Sequence, residues 1–302
     1  MQKEAPTSWN VSSSRGLCLA AYVVALGAAW LTVSLVPTQS SLWKAIWADV
    51  VATCVIFASS LWTRNSSMYD PYWSVAPVPI AIYWYLVHAP VASDQWRALL
   101  VLAGVAFWSV RLTLNWLTSW KGLGHEDWRY RQIREQTGPL WWLVSFLGIH
   151  MFPTVIVLFG CLPIWAVMTA RGRALGWLDV AAALVTISAV VIEMLADLQL
   201  RHFMRDRKPE EMMRRGLWAY SRHPNYFGEI LFWCGLYLFG IAANPALVWI
   251  AIGPLSMILL FLFVSIPLME KKILKTRPQY RQLQQEISML LPLPPRYPSP
   301  PR

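Results

Sequence analysis

The sequence has 302 residues, of which 56% are hydrophobic and only 14% charged, and its mean hydropathy is +0.41. Soluble globular proteins carry roughly 25% charged residues, so this composition excludes an ordinary soluble domain and indicates a membrane protein. The formal net charge of +10 comes from Lys and Arg that lie mostly between the apolar runs. That placement favours membrane lipids as partners, and we expect no nucleic-acid binding.

Eight apolar segments approach the length of about 20 residues that a helix needs to cross a bilayer. In chain order they are Leu17–Val36, Leu42–Trp62, Val75–Val91, Trp96–Leu117, Leu140–Met168, Trp177–Leu200, Tyr226–Ala243 and Leu247–Leu268. The third contains Pro77 and Pro79, so the count is seven if that segment does not cross. The prediction is an all-α, polytopic transmembrane bundle of seven or eight spans.

The polar residues 1–16 are expected to form an exposed tail before a retained first span. Because no internal repeat divides the chain, residues 17–291 are predicted to form a single integral-membrane domain. The Pro-rich residues 292–302 are expected to form an extended or disordered tail.

Basic residues concentrate in Lys121–Gln136, Arg201–Gly216 and the stretch from Lys271 onward. With eight spans these segments and both termini fall on one side of the membrane, which the excess of Lys and Arg identifies as cytoplasmic. The run Ala170–Arg173 falls on the other side and stands against this orientation. The expected membrane is the endoplasmic reticulum in a eukaryote or the inner membrane in a bacterium.

The cysteines and histidines show no spacing typical of a metal site. The four cysteines lie singly inside apolar runs, and the five histidines are scattered along the chain. We therefore expect neither a disulfide framework nor a bound metal.

Ionisable residues form a stripe at the end of the sixth apolar segment, "VVIEMLADLQLRHFMRDRK". Glu193, Asp197 and Arg201 are spaced i, i+4 and i+8, and Arg205 continues the same face. An internal Asp197–Arg201 salt bridge is one explanation. Glu193 lies deeper, however, and charged groups inside a span usually face a bundle interior or a water-filled cavity.

A second polar stripe opens the seventh segment in "SRHPNYFGE". Pro224 suits the first turn of a helix, and Asn225 and Glu229 then lie four residues apart on one face. Arg222 and His223 lie at the positive end of that helix, where an anion is favoured. Arginines can bind phosphates, and amide and carboxylate groups suit ribose hydroxyls, so the combination predicts a nucleotide site.

These residues resemble a known family. The stretch "GLWAYSRHPNYFGE", preceded by "ADLQLRHF" and followed by "RPQYRQLQQ" and "LLPLPP", is similar to the steroid 5-alpha-reductase-like membrane family. The "RHPNYFGE" core and "DPYWS" (Asp70–Ser74) resemble one branch in particular. The likeness covers roughly Leu42 to Pro295.

The resemblance implies a helical bundle that binds NADPH at its cytoplasmic mouth, in the half of the chain from about 177 to 291. It also implies a substrate that is a sterol, a steroid or another lipid with an activated carbon–carbon double bond. Glu193 stands where steroid reductases have asparagine. The residues that the resemblance and the stripes together place at the cofactor are Glu193, Asp197, Arg201, Arg205, Arg215, Tyr220, Arg222, His223, Asn225, Tyr226, Glu229, Tyr280 and Arg281.

Hydride addition to an enone leaves an enolate oxygen, which must be stabilised and then protonated. The resembling reductases use a glutamate and a tyrosine for this, and Asp70 is the best match for the glutamate. An Asp-Pro pair also starts turns, which is the structural explanation for Asp70. The position of the tyrosine is taken by Trp108, whose indole N–H cannot release its proton, so Tyr83 or Tyr85 would have to substitute.

Two other functions remain open. An S-adenosylmethionine-dependent methyltransferase of the isoprenylcysteine or phospholipid type would carry a similar "RHPxYxG" stretch. A non-catalytic lipid-binding membrane protein would explain Trp108. The run "HEDWRYR" (His125–Arg131) is interpreted as a solvated loop, although a lid over a nucleotide would have the same composition.

Overall fold

The computed structural model describes residues 10–89, 92–208 and 211–296, and the described chain is helical with connecting turns and no strand. The α-helices are α1 (Val11–Leu35), α2 (Ser41–Thr63), α3 (Tyr72–Val75), α4 (Pro77–His88), α5 (Ala92–Ser119), α6 (Trp128–Thr137), α7 (Trp141–Val144), α8 (Phe152–Thr169), α9 (Trp177–Asp206), α10 (Pro224–Ala243), α11 (Ile252–Leu260), α12 (Ile266–Thr276) and α13 (Tyr280–Glu286). Short π-helical stretches, Ser145–Met151 and Phe261–Ser265, join α7 to α8 and α11 to α12.

Seven helical segments are long and apolar enough to cross a membrane: Val11–Leu35, Ser41–Thr63, Asp94–Ser119, Trp128–Thr169, Trp177–Asp206, Pro224–Ala243 and Val248–Thr276. Their outward faces carry large exposed apolar side chains such as Leu19, Trp30 and Trp177, as contact with acyl chains requires. The chain is therefore a multi-pass membrane protein, and the predicted all-α membrane architecture is confirmed.

The third predicted segment is the one that falls short. It forms α3 and α4, and α4 has only 12 residues, well below the length of a full crossing. Pro77 starts α4, where the missing N–H of proline costs no helical hydrogen bond. Ala76 keeps helical backbone angles between the two helices, so the segment is a short rod and not a loop.

The chain divides into two compact units. The first consists of residues up to 90 and 105–161, and the second of residues 91–104 and 162 onward. In the first unit, Ala21 and Ala25 of α1 pack with Ala52 and Ile56 of α2 in one buried cluster. Small side chains let membrane helices approach closely, which explains why an alanine-rich face lies at this contact.

In the second unit, a buried arginine ties α5 to the start of α9. Arg97 is 1% exposed and donates to both carboxylate oxygens of Asp179, from Nε at 2.6 Å and from Nη2 at 3.0 Å. Its guanidinium also donates to the carbonyls of Arg173 and Ala174, at 2.9 and 3.0 Å. Because the charge is neutralised and its hydrogen bonds are made, Arg97 can be buried without a large penalty.

Candidate functional site

The contact between α9 and α10 depends on glycine. A Cβ atom added at Gly228 would lie 2.5 Å from Cγ of Glu193 and 2.8 Å from the carbonyl oxygen of Ala189. Gly235 faces Thr186 of α9 equally closely. The two helices therefore approach at a distance that a larger residue would prevent, and this approach brings their polar stripes to one seam.

Four predicted residues lie along this seam. Asn225 Nδ2 donates to Asp197 Oδ1 across it at 3.4 Å. Glu193 is 1% exposed, and Glu229 is 6% exposed and accepts from Trp233 Nε1 at 2.9 Å. Glu193 and Glu229 are thus buried, while Asp197 and Asn225, which bond across the seam, are half-buried.

The turn that precedes α10 is fixed against α9. Gly216 has a φ of +58°, and a Cβ atom there would meet the amide of Gln199 at 2.5 Å. The backbone N–H of Leu217 donates to Gln199 Oε1 at 2.9 Å, and Trp218 Nε1 donates to the carbonyl of Ala196 at 3.0 Å. These contacts set the position at which the "SRHPNYFGE" stretch begins.

The outer predicted residues are exposed. Arg201 and Arg205 lie on the last turns of α9, and Arg281 lies on α13, all with exposed side chains. Arg215 is also exposed and pairs with Glu211 at 3.7 Å. Tyr220 is 48% exposed.

Arg222 and His223 have a different position from the one predicted, because both are buried against Glu270. Arg222 Nε donates to Glu270 Oε1 at 2.8 Å, and His223 Nε2 lies 3.0 Å from the same oxygen. Tyr280 donates its hydroxyl to Glu270 Oε1 at 3.1 Å, and Gln284 Nε2 donates to Oε2 at 2.6 Å. Arg222 and His223 therefore make contacts within the protein. The prediction had placed them at an open helix mouth, near the phosphates of a cofactor.

The same stretch holds the C-terminal segment. Arg222 Nη1 donates to the carbonyls of Gln284 and Ile287, and its backbone N–H donates to the carbonyl of Ser288 at 2.8 Å. The N–H of Leu293 donates to the carbonyl of Tyr220 at 3.0 Å. Residues 292–296 are extended, which is one of the two predicted alternatives, and are attached to the motif, and residues 297–302 lie outside the described part.

Tyr226 connects the motif to the π-helical stretch before α12. Its ring stacks on His223 with 5.4 Å between centroids and packs against Phe261 at 4.7 Å. This stacking keeps His223 oriented toward Glu270.

In the first unit, Asp70 accepts a hydrogen bond from a tyrosine that the sequence did not indicate. Tyr130, on α6, donates its hydroxyl to Asp70 Oδ1 at 2.6 Å. Burial raises the pKa of Asp70 to about 7, while the hydrogen bond from Tyr130 and the charge of Arg129 act in the opposite direction. The run "HEDWRYR" is thus not a purely solvated loop: it starts α6 and contacts the acid.

The predicted tyrosine substitutes do not reach Asp70. Tyr83 and Tyr85 are partly buried on α4 and make no side-chain hydrogen bond among the described residues. Trp108 is fully buried within α5. The structure therefore pairs Asp70 with Tyr130 and gives neither Tyr83 nor Tyr85 that role.

A second acid–tyrosine pair, missed by the sequence analysis, lies within the first unit. Tyr72 donates its hydroxyl to Asp49 Oδ1 at 2.6 Å, and Asp49 Oδ2 is buried with no hydrogen bond among the described residues. Tyr69 stacks on Tyr72 at 5.0 Å between ring centroids and shares a hydrogen bond of 2.7 Å with Thr154. A lone aspartate in the apolar second span was the available signal.

Comparisons with known proteins give relatives without an assigned activity. An uncharacterised protein of Schizosaccharomyces pombe is 30% identical over 267 residues, covering 79% of this chain and 76% of the relative. No solved structure matches the chain. The family model described as "Protein of unknown function (DUF1295)" matches residues 56–287. The match includes Asp70, Tyr130 and the whole α9–α10 seam, and the chain therefore belongs to the DUF1295 family.

Proposed function

We propose that this protein is a membrane-embedded reductase that uses NADPH to reduce an activated carbon–carbon double bond in a sterol, a steroid or another lipid. The observation that carries the proposal is the Asp197–Asn225 contact at the α9–α10 seam, with Glu193 and Glu229 buried beside it. Acidic and amide groups are costly inside a membrane bundle, so a cluster of four on facing helices indicates a polar ligand.

The seam suits the sugar side of a nucleotide. At 3.4 Å, the Asn225–Asp197 hydrogen bond is longer than the usual range of about 2.7–3.2 Å, so ribose hydroxyls can readily replace it. Asp197 would accept from a hydroxyl, and Asn225 can both donate and accept. Arg201 and Arg205, exposed at the end of α9, would bind phosphates. Bound there, NADPH supplies the hydride.

Arg222 and His223 have an indirect part in this proposal. Glu270 neutralises the guanidinium, so Arg222 is not available as a phosphate ligand. The two residues instead fix the first turn of α10 against the C-terminal segment. They are positioning residues for Asn225 and Glu229.

The first unit, taken by itself, carries two acid–tyrosine pairs of the kind that can stabilise an enolate oxygen and supply a proton. The Tyr72 hydroxyl has a single hydrogen, which it donates to Asp49 Oδ1, and a substrate enolate oxygen would compete with Asp49 for that hydrogen. Asp70, with its pKa raised to about 7, keeps a substantial protonated fraction at neutral pH and can return a proton. One hydride and one proton together saturate the double bond.

The sequence adds further support. The "SRHPNYFGE" stretch resembles the steroid 5-alpha-reductase-like family, and the seven apolar helices suit a protein that acts on a membrane lipid. A location in the endoplasmic reticulum of a eukaryote, or in the inner membrane of a bacterium, follows from the proposed substrate class.

The test is NADPH binding to the full-length protein in nanodiscs, followed by NADPH fluorescence. The Asp197→Ala/Asn225→Ala variant should bind at least about tenfold more weakly, because two hydrogen bonds to the cofactor are lost. Asn244→Ala, at the other end of α10, is the matched control and should bind like the wild type.

Two results would contradict the proposal. One is binding of S-adenosylmethionine in parallel titrations without binding of NADPH, which would favour a methyltransferase. The other is NADPH binding with no consumption across a panel of enone lipids and sterols, which would favour a non-catalytic lipid-binding protein. Enone-dependent loss of NADPH absorbance is the expected outcome.

A further inference from the structure

Two arginines border a cavity at the ends of two membrane helices. Arg207 follows the last residue of α9, and Arg277 follows the last residue of α12. Together with Met204 and Thr276 they line a cavity of about 570 Å³. None of these four residues belongs to the predicted cofactor set.

Neither arginine has a counter-ion in the part of the chain that the structure describes. Nη1 of Arg207 is shielded from solvent and has no hydrogen-bond acceptor. The neighbouring acid Glu211 is already used, since its carboxylate accepts from the backbone N–H of Lys208 at 3.3 Å and lies 3.7 Å from Arg215. A buried guanidinium nitrogen without an acceptor is costly, which favours an acceptor from outside the described residues.

The two guanidinium groups also act on each other. Burial, together with the positive charge of Arg207, lowers the pKa of Arg277. Two like charges beside one cavity repel, and an anion placed between them would turn this repulsion into attraction. The two arginines therefore favour a ligand with negative charge and several acceptor oxygens in this cavity.

We propose that Arg207 and Arg277 form a phosphate-binding site. Each planar guanidinium can donate two parallel hydrogen bonds to phosphate oxygens, and two such groups match a tetrahedral anion. Both residues stand where membrane helices end, at the level of lipid headgroups, so an anionic phospholipid is the expected source of the phosphate. Met204, 50% exposed beside the cavity, offers apolar surface to the start of an acyl chain.

The first measurement is the unfolding midpoint of the full-length protein in neutral detergent, with sodium phosphate compared with sodium chloride at equal ionic strength. Phosphate should raise the midpoint of the wild type, because a ligand that binds only the folded state stabilises it. For Arg207→Gln/Arg277→Gln, the concentration of phosphate that gives the same rise of the unfolding midpoint should be at least about tenfold higher.

Lys208→Gln/Lys275→Gln is the matched control. It removes the same two charges from adjacent exposed positions that do not line the cavity, and it should keep the wild-type response to phosphate. In chloride alone, the arginine variant should be at least as stable as the wild type, because a repulsive pair has been removed.

Competition identifies the source of the phosphate. Displacement of phosphate by dioctanoyl phosphatidic acid assigns the site to a lipid headgroup, whereas displacement only by adenosine 2′,5′-bisphosphate assigns it to a nucleotide; either result supports phosphate binding at these arginines. Equal loss of the phosphate response in the lysine variant would overturn the proposal, as would an arginine variant that responds like the wild type. An arginine variant that unfolds more readily in chloride would show that the two residues serve the fold, and would overturn it too.

Discussion

The two ends of α9 treat arginine in opposite ways. At the start of the helix, Arg97 donates to Asp179 and to two backbone carbonyls, and Asp179 neutralises its charge. At the end of the helix, Arg207 and Arg277 line one cavity, and no acid among the described residues lines it with them. The difference illustrates two uses of arginine. A neutralised arginine stabilises the fold, whereas an arginine without a counter-ion among the described residues is the one we propose as a ligand-binding group.

Arg222 belongs with the first kind. It is buried beside the start of α10, but Glu270 and the C-terminal carbonyls occupy its donors. Position at a helix mouth is therefore a poor guide to phosphate binding, whereas the partners of the guanidinium are a good one.

The largest expected effect comes from removing the carboxylate that neutralises Arg97 at the start of α9. Asp179→Ala leaves Arg97 buried without its main counter-ion and should lower the free energy of unfolding by about 3–5 kcal/mol. Thermal unfolding in detergent measures this loss. Asp206→Ala, an exposed acid at the other end of α9, should change the free energy of unfolding by no more than about 0.5 kcal/mol. Equal losses in the two variants would remove the distinction between the two ends.

An intermediate effect is expected at Glu270. Glu270→Gln keeps the size of the side chain but loses the charge that neutralises Arg222, and it should cost about 2–3 kcal/mol. Limited proteolysis should then cut the segment after α12 faster than in the wild type. Glu211→Gln, which removes only a surface pair with Arg215, should cost less than about 1 kcal/mol and leave the proteolysis rate unchanged. An unchanged cleavage rate in Glu270→Gln would contradict the role of the Glu270–Arg222 pair in holding the C-terminal segment.

The last effect depends on pH and extends the comparison to an acid. Because the pKa of Asp70 is raised to about 7 in the folded protein, the folded state binds a proton more tightly than the unfolded state. Its contribution to stability is most favourable at acid pH, declines between about pH 4 and pH 7 by at most about 1.4 kcal/mol per pH unit, and is constant above.

Asp70→Asn retains an acceptor for Tyr130 and should flatten that part of the stability–pH profile. The variant should be more stable than the wild type above pH 7 and similar to it near pH 4 when unfolding is followed across this range. Parallel profiles for the two proteins would show that Asp70 is not the titrating group.

Local patterns in the sequence carried the membrane helices and the seam. Hydropathy alone located the seven long spans, and spacing of four residues placed Asp197 on one face of α9 and Asn225 and Glu229 on one face of α10. These features depend on neighbours within one helix, which is why they can be derived without coordinates. The short third segment was doubtful for the same local reason, its two prolines.

Partners distant in sequence were beyond such patterns. Glu270 is 48 residues from Arg222, and Asp49 is 23 residues from Tyr72, so nothing in either local stretch announces the other. Tyr130 is 60 residues from Asp70, and it lies in a run whose polar composition favoured solvent. The role expected of Arg222 was changed by a contact of this long-range kind.

The partners of Arg222 come later in the chain, which affects the order in which this part of the protein can fold during biosynthesis. The guanidinium receives its counter-ion only when Glu270 has been made, and its carbonyl acceptors come 62 and 65 residues after it. Chains fold from the N-terminus while they are still being translated, so α10 enters the bilayer before the groups that close its first turn exist. A chain truncated before Gln284 would therefore leave the charged start of α10 without the groups that cover it.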